Sequence, residues 1–165
     1  MKRLSDWCGD NFSGGRITEL SVYKGDTYKL ELEGGQTFFI NCAIVADYDL
    51  HEGGEMDAEL LEKLQHADKM RKAKKRALYL LGSRMYSYNE LYKKLLPTYG
   101  EEASRAAADA MQEYGYIDDA DYAGKLAEKL IHGKHYGMSK TRWEMQARGL
   151  DKNLIEDILA EYTDD

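Results

Sequence analysis

At 165 residues, 43% hydrophobic and 32% charged, the chain can bury a core as one large domain or two small ones. No apolar run approaches the roughly 18 residues of a membrane span, and MKRLSDWCGDNFSGG lacks the apolar region of a signal peptide, so a cytoplasmic protein is expected. The net charge of −7 excludes a uniformly basic nucleic-acid binder but hides an asymmetry: residues 1–68 hold 6 Lys/Arg against 14 Asp/Glu, and residues 69–165 hold 17 against 16.

Residues 1–15 are expected to form a flexible N-terminus, and residues 16–56 a small β-hairpin unit. Tyr28, Leu30 and Leu32 alternate with Lys29, Glu31 and Glu33, the period of a strand with one buried face. Gly34-Gly35 reads as a two-residue turn, which sets Leu30 opposite Phe39 and Leu32 opposite Thr37. RITELSVYK supplies a further strand, giving three in all, closed near Gly53-Gly54. Cys42 reads as a small buried hydrophobe at a strand end. With Cys8 it makes no CxxC pair, which suits a reducing compartment.

From Asp57 the period becomes helical, and residues 57–115 read as a linking helix and a first three-helix repeat. Leu60, Leu61, Leu64 and Ala67 form one stripe, continued by Met70, Ala73, Ala77, Leu80 and Leu81. Ser87 and Glu90 make a capping box for a helix that Pro97 and Gly100 punctuate. A third helix carries Ala106, Ala107, Ala110 and Met111, and Gly115 stops it.

The pattern then recurs over residues 116–165, a second three-helix repeat. At an offset of 50, Ala77, Leu80, Leu81, Arg84 and Tyr86 match Ala127, Leu130, Ile131, Lys134 and Tyr136. At an offset of 48, Ala106, Ala107, Ala110, Met111 and Tyr114 match Leu154, Ile155, Ile158, Leu159 and Tyr162. The fold class expected is mainly α, tandem three-helix repeats preceded by a small β unit, α+β overall. Such a tandem presents an extended surface rather than one catalytic pocket.

YGYIDDADYA, residues 114–123, falls at the seam. Gly115 allows a left-handed exit, Tyr116-Ile117 reads as an apolar plug, and Asp118 is placed to N-cap the next helix. Asp119 and Asp121 then fall in its first turn, where the helix dipole favours negative charge. This accounts for all three carboxylates without a metal or acid–base chemistry. GYIDDADYA, RMYSYNEL and KHYGMSKTRWEMQARGL, in that family's signature segments, resemble the RecX family of regulators of the RecA recombinase. The resemblance covers about residues 69–162. It implies a non-enzymatic protein that binds RecA or its DNA filament and restrains recombination and the coupled ATP hydrolysis. Many family members carry three helical repeats, whereas two are counted in this sequence.

Other constellations favour no chemistry. His132 and His135 are three apart, but no further ligand at matching spacing completes a metal set. No Walker-type loop, GxGxxG unit or Ser/His/Asp order is present, so neither a catalytic residue nor a cofactor is assigned. The candidate partner or nucleic-acid contacts are Lys72, Lys75 and Arg76 in KMRKAKKR, the repeat-equivalent Arg84 and Lys134, and Lys140, Arg142 and Arg148. Trp143, Tyr86 and Tyr136 are candidate anchors beside them. RecA and its filament are the expected partners, with DNA a direct one besides. A free-standing helix-turn-helix regulator is the alternative, with Ser139 to Arg148 as reading helix.

Overall fold

The computed structural model describes residues 2–163; Met1, Asp164 and Asp165, the outermost residues of the expected N-terminal segment and second repeat, lie outside the described residues. The chain divides into two units, one up to Arg71 and one from Lys72 onward.

In the first unit, β1 (Gly15–Lys24), β2 (Thr27–Leu32), β3 (Thr37–Asn41) and β4 (Glu55–Met56) form an antiparallel sheet in the order β3-β2-β1-β4. Four strands are present, not the three expected. The Gly53–Gly54 turn places the fourth: the Ile17 amide donates to the Gly54 carbonyl and the Gly53 amide to the Ile17 carbonyl, both at 2.8 Å.

The β2–β3 register also differs by one residue from expectation: Leu30 pairs with Phe38 and Glu31 with Thr37. The loop is Glu33-Gly34-Gly35, closed by Leu32 and Gln36, and Gly35 takes the left-handed conformation at φ +85°. A three-residue loop ending in a left-handed glycine is the next commonest hairpin connection after the two-residue turn, and the extra residue shifts each pair. The shift sets Phe38 and Ile40 on the buried face with Leu30 and Leu32, while the Phe39 ring packs at a tilt against Tyr23, centres 4.7 Å apart.

A short helix, α1 (Cys42–Asp47), follows, capped by the Asn41 side chain accepting from the Ala43 amide at 2.9 Å. Ile44 and Val45 fill the core from it, whereas Cys42 is exposed, contrary to expectation. Position 42 opens the helix on its outer side, so its thiol takes no part in the core.

The segment expected to be flexible is anchored. Leu4 is buried in a 3-10 turn (Leu4–Asp6), Trp7 lies 4.8 Å from the Phe38 ring, and Gln65 Nε2 donates to the Leu4 and Trp7 carbonyls. Leu61 and Leu64, from the start of α2 (Ala58–Ser83), close this core; burying each leucine contributes about 1.5–3 kcal/mol.

The second unit opens with the rest of α2, whose Ala73, Ala77 and Leu80 are buried as the stripe requires. α3 (Tyr88–Glu113) begins at the predicted capping box, with the Glu90 amide donating to Ser87 Oγ at 3.1 Å. Pro97 sits inside it; the break comes at Gly100, φ 77° and ψ 175°, and makes two helical halves. α4 (Asp119–Glu128) runs into a π-helical turn (Lys129–Gly133), followed by α5 (Met138–Ala147) and α6 (Lys152–Ala160). The end of α2 and the halves of α3 thus correspond to α4, α5 and α6. Leu126, Leu130, Met145, Ile155 and Leu159 centre the second repeat. The architecture is helix-rich α+β with the repeated helical unit expected.

Candidate interaction face

The seam carboxylates are all engaged within the chain. Asp118 Oδ1 accepts from the Asp121 amide at 3.0 Å as the N-cap of α4, and the Asp121 side chain pairs with Lys125 at 2.7 Å. Asp119 Oδ1 reaches back to accept the Tyr88 amide at 2.9 Å, so it also satisfies an open donor in the first turn of α3. Burial raises the Asp119 pKa, with the Asp118 and Glu90 charges adding to it, against the lowering by the Tyr88 amide. Gly115 makes the left-handed exit at φ +83° and Ile117 is buried. Tyr116 is 60% exposed, so only Ile117 acts as the plug.

The repeats are joined by further bonds. Ser87 Oγ donates to the Arg148 carbonyl at 2.5 Å, Asn89 Nδ2 to the Gly149 carbonyl at 2.7 Å, and the Tyr122 hydroxyl to Glu90 Oε1 at 2.8 Å. Burial, then the Glu90 hydrogen bond, pushes the Tyr122 hydroxyl up to about 12, so it remains a donor at neutral pH.

On this scaffold the turns after the two equivalent helices present cations over rings. The Arg84 guanidinium carbon lies 3.6 Å from the Tyr86 ring centre, while its Nη1 donates to the Met85 carbonyl and, at 3.0 Å, to Glu90 Oε2. Burial disfavours the charge of Arg84, but Glu90 outweighs it and the pKa is raised. In the second repeat Lys134 Nζ lies 5.6 Å and Lys140 Nζ 3.8 Å from the Tyr136 ring centre. Tyr86 is buried and Tyr136 half-buried, so each ring is a packed base under an exposed cation.

The eight expected contact residues do not converge on one site. Arg84 and Arg148 line a cleft of about 570 Å3 together with Lys125 and Lys129, two cations that the sequence reading missed. Lys129 is equivalent to Tyr79 in the repeat, where no charge signals it. Lys72, Lys75 and Arg76 line a separate groove with Tyr79 and Tyr99.

Arg142 and Arg148, like Arg84, have carboxylate partners within the chain. Arg142 makes a double contact with Glu156, Nε to Oε1 at 2.6 Å and Nη2 to Oε2 at 3.2 Å, and this bond raises the arginine pKa and lowers that of Glu156. Arg148 pairs with Glu144 at 2.7 Å. With Thr141 and Met145 buried, α5 offers Ser139, Lys140, Gln146 and the 64% exposed Trp143 outward. His132 lies against Tyr162 and near Glu128, and among the described residues no three His, Cys, Asp or Glu side chains gather to hold a metal. Among the described residues, no helix is long and apolar enough to cross a membrane.

No family model matches the chain. It is 28% identical over 148 residues to the regulatory protein RecX of Clostridium botulinum (strain Alaska E43 / Type E3), covering 88% of this chain and 69% of that protein. It is 29% identical over 153 residues to the regulatory protein RecX of Leuconostoc citreum (strain KM20), covering 90% and 57%. The chain therefore spans little more than half to two thirds of these relatives. A crystal structure of regulatory protein RecX superposes with a TM-score of 0.74 at 23% identity, over 89% of this chain and 73% of that one. RecX from Lactobacillus salivarius superposes with a TM-score of 0.56 at 24% identity, over 59% and 64%. These two likenesses concern the fold.

Proposed function

We propose that the chain is a non-enzymatic regulator of the RecX family that binds RecA or the RecA–DNA filament and restrains recombination and the coupled ATP hydrolysis. Its relatives carry the name of a regulatory protein, and the resemblance of the ordered motifs in residues 69–162 to the RecX family implies RecA as the partner. The observation that carries the reading is the repetition of the cation-over-ring turn, Arg84 on Tyr86 and Lys134 with Lys140 on Tyr136. Equivalent contacts on a repeated scaffold suit a partner that is itself periodic, because several modest contacts to successive protomers act as linked binding events.

The test is RecA-driven ATP hydrolysis on single-stranded DNA, titrated with the chain. Hydrolysis should fall at substoichiometric ratios, since one bound regulator acts on many protomers. Unchanged hydrolysis at equimolar protein overturns the reading.

A further inference from the structure

A groove of about 290 Å3 beside α2 is lined by Lys72, Lys75, Arg76, Tyr79 and Tyr99, with no carboxylate among the lining residues. Tyr79 lies outside the buried stripe of Ala77 and Leu80 and is 69% exposed. Tyr99 enters from the end of the first half of α3, so two helices build the groove. The Arg76 guanidinium carbon stands over the Tyr79 ring, 4.9 Å from its centre, which holds a positive charge on one face of an exposed aromatic side chain.

Both features match one polymer. A single-stranded polynucleotide offers unpaired flat bases and regularly spaced phosphates, whereas a duplex keeps its base faces stacked inside. We propose that this groove binds a single-stranded polynucleotide directly, with a base stacked on Tyr79 and neighbouring phosphates held by Lys75 and Arg76. The biological setting rests on the filament reading above, but the binding step needs only the chain and the strand.

The experiment is fluorescence anisotropy of an end-labelled oligothymidylate with the full chain and no RecA. Saturable binding is expected, and Tyr79→Ala should weaken it about tenfold or more, the scale of one base–aromatic stack. Tyr79→Phe, which keeps the ring, should retain the affinity. Lys75→Glu with Arg76→Glu should lower the slope of log affinity against log salt by about 1.4, two contacts at roughly 0.7 each. These side chains are exposed, and unchanged melting of each variant separates binding from folding.

Absence of binding, wild-type affinity in Tyr79→Ala, equal affinity for a blunt duplex, or capture by anionic phosphatidylserine vesicles in place of the oligonucleotide each overturns the proposal. RecA-coupled hydrolysis with the same preparation reports separately on the filament reading. Inhibition without oligonucleotide binding removes the groove alone; binding without inhibition removes the filament reading alone.

Discussion

The backbone N–H of Tyr88 donates to Asp119 Oδ1 at 2.9 Å, so a carboxylate at the start of one repeat caps the helix of the repeat before it. A dipeptide that looks like a metal or acid–base pair is a joint with two caps, Asp118 facing forward and Asp119 backward.

Asp119 carries a pH signature. Its folded pKa is raised above the ordinary 3.8, chiefly by burial, so the native state binds its proton more tightly than the unfolded chain does. Its contribution therefore falls as pH rises from the unfolded pKa through the raised folded one, and the residual penalty persists at neutral pH. Asp119→Asn keeps an oxygen for the Tyr88 amide and should abolish this dependence. Asp119→Ala should destabilise by about 1–3 kcal/mol, the cost of an unpaired buried donor. Chemical denaturation of both variants from pH 3 to 8 checks the two outcomes.

Asp118→Ala should lower stability by about 0.5–2 kcal/mol, because the Asp121 amide loses its cap. A reduced melting temperature with secondary structure retained is the expected result. A variant that melts like wild type but loses Mg2+ or Zn2+ binding would return the carboxylates to a metal role.

Gly149→Ala should be more costly than an ordinary surface change. The residue has φ +73°, and an added Cβ would stand 2.6 Å from Asn89 Cβ. Left-handed strain alone costs about 1–2 kcal/mol. The clash also displaces the Asn89 bond to the Gly149 carbonyl that joins the repeats. Loss of melting cooperativity across the helical unit, beyond a shift in midpoint, would report uncoupled repeats.

Charge reversal of Lys134 and Lys140 together should weaken filament or DNA binding and flatten its salt dependence by about one to two units. Lys24 and Lys63, reversed as a control in the acidic first unit, should leave both unchanged. Arg142 is a poorer probe than its sequence position suggests, since its reversal also breaks the Glu156 pair. Salt titrations of the two double variants decide the matter, and equal losses in both would move the interface off the repeats.

What the sequence determined by itself was everything carried by local periodicity and short-range caps. The stripe through Ala73, Ala77 and Leu80, the Ser87–Glu90 box, the Asp118 cap and the Gly115 exit depend on residues within one or two turns, and each stands where the spacing placed it. The tandem was legible because both repeats bury the same positions.

Tertiary structure alone decided what depends on distant partners or on local choices with more than one solution. Two loop lengths are open to Gly34-Gly35, and the three-residue one buries Phe38 and Ile40. Arg142 finds Glu156 fourteen residues on, and Tyr99 lines one groove with Arg76 and Tyr79 from a second helix, placements that no spacing rule reaches. A positive charge on a helix reads alike in sequence whether it holds a carboxylate or lies over a ring, and the positions of Glu156 and Tyr136 in space distinguish Arg142 from Lys140.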